Sequence, residues 1–402
     1  MNLRPPEKLN QIEFVALMAS LTSVIAFAID GILPGISELA ADLKASGPGQ
    51  TQYIVSVLFL GFGFGQLLFG PISDQFGRRL PIFLGLGLYL IGALISWASQ
   101  SFWVMLIGRL FQGLGGAGPR IVSIALIRDR FSGDVMAKIS SLVMTVFILI
   151  PAVAPSVGQF IMKSFGGWRS FFIALVVFSG LILIWFFLRQ KETLEKGKRQ
   201  KISFKQMLFG IKEAFIYRQS RIGFIISGLI MGVLIGYLGG IQEIFTVIYD
   251  VGDQFPLYFA ACALSVGGAS FFNSQLVLRM GSIRLVRRAL FVMVFTSLTL
   301  FAYLGFTGQT NPPLYGFMAF MIPTFFAVGF LFGNLNAIAM EPLGHIAGLG
   351  SAILGFLQSF IGVLFGSSLG YFLHGTIVPL AVGFLTVAVV GLFMLNKPIA
   401  SN

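Results

Sequence analysis

One cysteine, Cys262, stands alone in 402 residues and lies in an apolar window, so no disulfide can form within the chain. Histidine is almost as rare. His345 and His374 are far apart in sequence and lack metal-ligand spacing, so no metal centre is expected. Charged residues make up only 10% of the chain, against 56% hydrophobic residues and a mean hydropathy of +0.90. A water-soluble protein of this length could not hide so much apolar surface. Acids are the scarcer sign, 15 against 27 Lys and Arg, which leaves a formal charge of +12. A G-x-x-x-x-G-K-[ST] phosphate loop is missing: Glu192 stands where Gly197-Lys198 would need a first glycine. That argues against an ATP-driven pump. No catalytic dyad or metal cluster falls within the apolar sequence, so an enzyme is not expected.

What the chain has instead is apolar sequence from end to end. About twelve windows are long enough to cross a hydrocarbon core of roughly 30 Å. They are 12–33, 50–69, 80–98, 102–127, 137–162, 168–188, 222–249, 256–278, 288–308, 312–339, 350–373 and 376–395. The prediction is an all-α polytopic membrane protein. Its longest polar segment, 189–221, contains KETLEKGKRQKISFK and separates 1–188 from 222–402, six windows on each side. The opening MNLRPPEKLNQIEF is short and mixed in charge. Its apolar continuation is too long for a signal-peptide core, so the first span is expected to be retained.

Charge orients the chain. With a cytoplasmic N-terminus, the inner segments hold Arg4, Lys8, Arg78, Arg79, Arg128, Arg130 and Lys138, every Lys and Arg of 189–221, then Arg279, Arg284, Arg287, Arg288 and Lys397. The outer segments hold Lys44, Lys163 and Arg169. This bias predicts that both termini are cytoplasmic. It also spreads the basic charge along a membrane face, so no nucleic-acid partner is expected. Two six-window halves point to an internal repeat. The loop GPISDQFGRRL aligns with SQLVLRMGSIRLVRR through Gly77 and Gly281, the second copy having Leu278 opposite Asp74.

Within the first window, TSVIAFAIDGILPG places Asp30 in apolar surroundings. An acid there is costly, which makes it a functional candidate by default. Thr22 and Ser23 lie eight and seven residues earlier, near the same helix face. Arg109, in the fourth window, falls about 10 Å below the outer end at 1.5 Å per residue, a depth similar to that of Asp30. The two are expected to pair, directly or through water. Nearby positive charge favours an ionised acid and desolvation a protonated one, a balance that changes as a cavity opens. A fixed structural pair is the alternative. Arg120 lies three turns beyond Arg109 on its face, and either meets a substrate anion or snorkels to the inner rim. Glu243 in window seven is placed at an outer gate, with a water-exposed rim acid as the alternative, and Tyr237, earlier in the same window, is a candidate cavity residue. Gln112, Asn334, Asn336 and Gln358 are candidate cavity polars, together with Asn273 and Gln275, and Phe27, Phe59 and Phe356 are candidate apolar contacts. Gly113 to Gly118 formally reads G-x-G-x-x-G, but no strand precedes it, so it is expected to be close-packing glycine.

The segment Gly70-Pro-Ile-Ser-Asp-Gln-Phe-Gly-Arg-Arg79 combines a tight turn, an acid and two arginines. Such a cluster serves as a latch that holds one conformation and breaks in another. This loop resembles the signature loop of the major facilitator superfamily through Gly70, Asp74, Gly77, Arg78 and Arg79, with Gln75 in place of the usual basic residue. LIGRLFQGLGGAG is similar to that family's arginine motif through Arg109, Gln112 and Gly113, and runs on into IRDRF with Arg128 and Asp129. APSVGQ, with Pro155 and Gly158 and preceded by Pro151, resembles the antiporter motif, from which Ala154 and Gln159 depart. Asp30-Gly-Ile-Leu-Pro34, GGWRSFF and EPLGHIAGLGSAILGFLQSFIG are similar to the bicyclomycin-resistance branch. The resemblance implies twelve helices in two pseudo-symmetric bundles around a central cavity with alternating access. It implies a latch of Gly70, Asp74, Gly77, Arg78, Arg79, Arg128 and Asp129, and a hinge at Pro151, Pro155 and Gly158. The function expected is proton-coupled export of a small amphipathic molecule across a bacterial inner membrane. A facilitator or proton symporter for an anionic or zwitterionic metabolite or siderophore is the alternative. Protons are the expected coupling ion and no cofactor is expected. The expected partners are a small-molecule substrate and the lipid bilayer, with the chain acting as a monomer.

Overall fold

The computed structural model describes residues 10–45, 49–199, 204–373 and 375–396. Arg4, Lys8, Lys201, His374, Lys397 and both chain ends lie outside the described residues. Among the described residues the α-helices are α1 (Gln11–Asp30), α2 (Ile36–Asp42), α3 (Gln50–Phe76), α4 (Arg79–Ala98), α5 (Phe102–Arg130), α6 (Gly133–Phe165), α7 (Trp168–Arg189), α8 (Phe204–Ile216), α9 (Arg218–Glu243), α10 (Phe255–Met280), α11 (Ser282–Thr307), α12 (Leu314–Met340), α13 (Ala347–Phe372) and α14 (Val378–Leu395). Among the described residues, eleven apolar segments have the length and hydropathy to cross a membrane. The longest, Leu314–Phe372, contains both α12 and α13, joined by a 3₁₀ stretch, so the crossing helices number twelve. This is the predicted all-α membrane bundle.

Helix ends follow local chemistry. The Asn10 side chain accepts the Glu13 N–H at 2.7 Å and starts α1. Gly77 adopts φ +98° between α3 and α4, and Gly281 takes φ +76° with similarly extended ψ between α10 and α11. The two positions aligned as a repeat therefore make the same turn, one that side chains rarely tolerate. The linker is less irregular than a polar loop. Its second part folds as α8, whose Gly210 rests on Leu349 and Ile353 of α13.

In the first half, α5 packs between α3 and α4, α1 lies against α5 and α6, and α7 covers α4. In the second half, α9 packs on α12, α13 and α14, and α12 lies between α10 and α11. The halves meet along α3–α13, α6–α10 and α3–α9. The glycines of α5 allow the tight packing: Gly113 meets the Leu58 carbonyl, Gly115 the backbone of Tyr89 and Gly118 the Pro81 carbonyl. This is helix packing and no nucleotide loop. Glu13 pairs with Arg189 at 2.7 Å, so α1 begins at the end of the bundle where the linker leaves α7. That end is the linker end, and the opposite end is the far end.

Candidate functional site: a polar interior and a loop latch

Arg109 is completely buried. Its Nε donates to the Ile54 carbonyl at 3.1 Å, Nη2 to the Ala28 carbonyl at 2.9 Å and Nη1 to Gln112 Oε1 at 3.0 Å. The Phe172 ring centroid is 6.0 Å from the guanidinium carbon. One cation thus ties α1, α3 and α5 together by backbone acceptors. No direct contact between Arg109 and Asp30 is made among the described residues. The depth is right, since Arg109 bonds to Ala28, but two residues along a helix turn the side chain by about 200°. Asp30 therefore leaves α1 on another side.

Asp30 is 5% exposed and, among the described residues, forms no ion pair and accepts no hydrogen bond. It lies within electrostatic reach of Tyr237 on α9, across the contact between halves. Tyr237 is buried, stacked on Phe259 and edge-on to Phe325, with the Cys262 thiol beside its hydroxyl.

The other candidates divide. Thr22 and Ser23 are buried and both donate to the Ala19 carbonyl, at 2.9 and 2.6 Å. Their hydroxyls serve their own helix and add no polar stripe beside Asp30. Phe27 packs edge-on against Phe178, and Phe59 is buried in the core. Asn334 is buried and donates to Asn273 Oδ1 at 2.6 Å, joining α12 to α10, whereas Asn336 and Gln275 are exposed. Gln358 carries a buried Nε2 without a hydrogen-bond partner among the described residues. Phe356 stacks on Phe360 and lies 5.2 Å from Phe64, across the halves. Glu243 ends α9 half-buried, and its neighbour Gln242 accepts a hydrogen bond from Ser37, so this helix end does meet the segment after α1. Arg120 is half-buried, with its guanidinium 4.6 Å over the Phe147 ring of α6.

Polar contacts between the halves gather at the far end. Gln52 Nε2 donates to the Ile235 carbonyl at 2.9 Å, Thr51 to the Gly239 carbonyl at 3.1 Å, and Ser367 to Ser56 at 3.1 Å. Lys163 pairs with Asp253 at 2.5 Å. Gln52 carried no motif, and the glycines it packs against, Gly239 and Gly370, were its only sequence signal.

At the linker end, Arg78 is the hub of the loop. Its Nη1 reaches Asp74 at 2.6 Å and Ser73 at 2.9 Å, and its Nε reaches Asp129 on α5 at 2.9 Å. The two carboxylates outweigh burial and hold the Arg78 guanidinium above its ordinary pKa. Arg79 lies over Phe83 and donates to the Phe187 carbonyl at 3.2 Å. Gly70 faces Ala352 of α13. Arg128 is exposed and takes no part in this cluster: neighbouring residues on a helix point about 100° apart, and Asp129 is the one that faces the loop. The cap on the start of α4 comes from the linker. Glu192 accepts the N–H groups of Arg78 at 2.8 Å and Arg79 at 3.1 Å, at the start of α4. Thr193 donates to Asp129 at 2.6 Å. The linker's first residues are therefore bolted to the latch, and an acid poised for a helix N-terminus was the clue.

The hinge residues sit in an unbroken α6, which passes through Pro151 and Pro155. Gly158 lies directly against the Gly31 carbonyl, beside the break that follows Asp30.

Twelve crossing helices in two packed halves, with a sequestered acid and an ion-paired loop, define a membrane carrier. The chain belongs to the Major Facilitator Superfamily, whose model matches residues 18–367. It is 30% identical over 362 residues to a bicyclomycin resistance protein homolog of Haemophilus influenzae, covering 88% of each chain. It is 27% identical over 348 residues to the multidrug resistance protein MdtL of Shigella flexneri, covering 85% of each. Its fold resembles that of a D-xylose-proton symporter, with a TM-score of 0.70, 16% identity and 96% and 97% of the two chains covered. It also resembles the human organic anion transporter MFSD10, with a TM-score of 0.65, 17% identity and 98% and 100% covered. The chain is thus a membrane-spanning transporter and not an enzyme, with relatives named for drug resistance.

Proposed function

We propose that this protein exports small amphipathic molecules in exchange for protons, by alternating access, as a monomer in a bacterial inner membrane with both termini in the cytoplasm. The observation that carries the reading is Asp30: a carboxyl in a membrane-crossing helix, 5% exposed, with no ion-pair partner among the described residues. Such a group carries its charge only when water or a cation reaches it. Protonation lets it be carried through a closed state, and substrate is carried in the opposite direction while the carboxyl is ionised. The resistance proteins among the relatives support a drug-like substrate, and the basic linker-end loops support the orientation.

The two halves rock around the occupied cavity. Breaking the Gln52, Thr51 and Lys163 contacts opens the far end. The Arg78 cluster holds the linker end of the first half together when that end is shut. A transmembrane potential of 100 mV supplies about 2.3 kcal/mol per proton, enough to bias the cycle. The test is transport in proteoliposomes under an imposed pH gradient. Acidifying the side to which substrate moves should accelerate its movement. Acceleration by the opposite gradient identifies a symporter, and indifference to the gradient a facilitator.

A further inference from the structure

We propose that Arg120 forms a substrate subsite for an organic acid, so that the exported molecules are aromatic or apolar bodies carrying a carboxylate. This rests on the exporter reading and names its substrate class. Among the described residues, three acidic or basic side chains lie deep in the crossing helices: Asp30, Arg109 and Arg120. Arg109 is used up by two carbonyls and Gln112. Arg120 is not. Its Nη1 is buried without a hydrogen-bond partner, Nη2 meets only the weak acceptor Met144 Sδ at 3.7 Å, and no described acid pairs with it.

A guanidinium held in place without an acid is costly in a membrane interior, and such groups are kept where a ligand supplies the missing charge. The fork of N–H donors suits a carboxylate's two oxygens. The Phe147 ring below it holds the guanidinium in position, and Met144, partly exposed beside it, offers an adaptable apolar wall. The site also borders the other half. One residue past Phe147, Ile148 touches Gly267 of α10, so a ligand on Arg120 lies beside the α6–α10 seam that must move in transport. Among the described residues Asp30 and Arg120 remain separate and without an ion-pair partner, one for the proton and one for the substrate anion.

The test uses full-length protein in phosphatidylcholine nanodiscs, a lipid without net charge. Binding of 1-naphthoate, 2-naphthoxyacetate and 4-phenylbenzoate is compared with that of their uncharged primary amides and of the corresponding primary amines. The wild type should bind at least one carboxylate tenfold or more tightly than its amide and amine. Arg120→Gln should remove that preference while leaving amide binding in place, and Arg120→Lys should retain part of it. Equal binding within every set, preference for the amines, or a carboxylate preference that survives Arg120→Gln overturns the proposal. Should Arg120→Gln fail to fold, as judged by size-exclusion and thermal melting, the wild-type comparison and Arg120→Lys decide. Carboxylate selectivity that depends on Arg120 without any proton-driven transport would sink the exporter reading and leave this one standing. Proton-driven export with no charge preference would do the reverse.

Discussion

Replacing Arg109 by lysine tests whether this cation is a strap between helices. Its guanidinium reaches Ile54 O, Ala28 O and Gln112 Oε1 at 3.1, 2.9 and 3.0 Å, on three helices at once. An ammonium on a single stem keeps one of these bonds in reasonable geometry and abandons the other two. Hydrogen bonds to a charged partner contribute about 1.5–3 kcal/mol each, whereas polar pairs between membrane helices average about 0.6 kcal/mol. The Arg109 bonds have a charged donor and fully buried acceptors, so the larger figure applies to at least one of them. The expected loss is about 3 kcal/mol, roughly 150-fold in the unfolding equilibrium. Unfolding by sodium dodecyl sulfate in mixed micelles, followed by tryptophan fluorescence, reads this directly. A variant within about 0.5 kcal/mol of the wild type would refute the strap and return Arg109 to the pool of mobile coupling charges.

Three further outcomes follow from the packing. Gly158→Ala sets a methyl group against the Gly31 carbonyl and should cost about 1–3 kcal/mol in the same unfolding assay, with Gly158→Val worse still. Glu192→Ala should free the start of the linker, losing about 1 kcal/mol of capping, visible as faster amide exchange over 190–199. Burial pushes the Glu192 carboxyl up in pKa, but four backbone N–H donors, those of Arg78, Leu194, Arg79 and Thr193, outweigh it and hold it below the ordinary value. Its contribution is therefore complete above the ordinary glutamate pKa of about 4.3 and is lost as pH falls through the lowered folded value. Wild-type linker protection should be flat from pH 5 to 8. Gln52→Ala removes the bond from α3 to the Ile235 carbonyl and should open the far end more often, raising maleimide labelling of a Thr51→Cys reporter several-fold.

The crossing helices were legible because about 20 apolar residues have few other uses in a sequence. The Gly77 and Gly281 turns were legible too, because a positive φ leaves a glycine behind. Arg109's partners were not: two are backbone carbonyls, which every residue possesses and no letter reveals. Depth could be counted along α1 and α5 to the level of Ala28, but the facing of Asp30 depends on the distorted Gly31–Gly35 segment and on α6 pressing against it through Gly158. Thr22 and Ser23 looked like a polar face because side-chain spacing does not show that a hydroxyl can be satisfied by its own helix. Glu192 was hidden by its setting, since a charged linker reads as solvated chain until a helix N-terminus is seen beside it. Arg128 and Asp129 differ by one position, and the sequence motif does not separate the residue that grips Arg78 from the one that faces outward.

The central claim is that Asp30 exchanges its proton for substrate. It is tested most directly by following a pH indicator in weakly buffered detergent solution of the purified protein while a transported compound is added. The wild type should release up to one proton per substrate bound, and Asp30→Asn should bind substrate and release none. Equal proton release from Asp30→Asn would contradict the account.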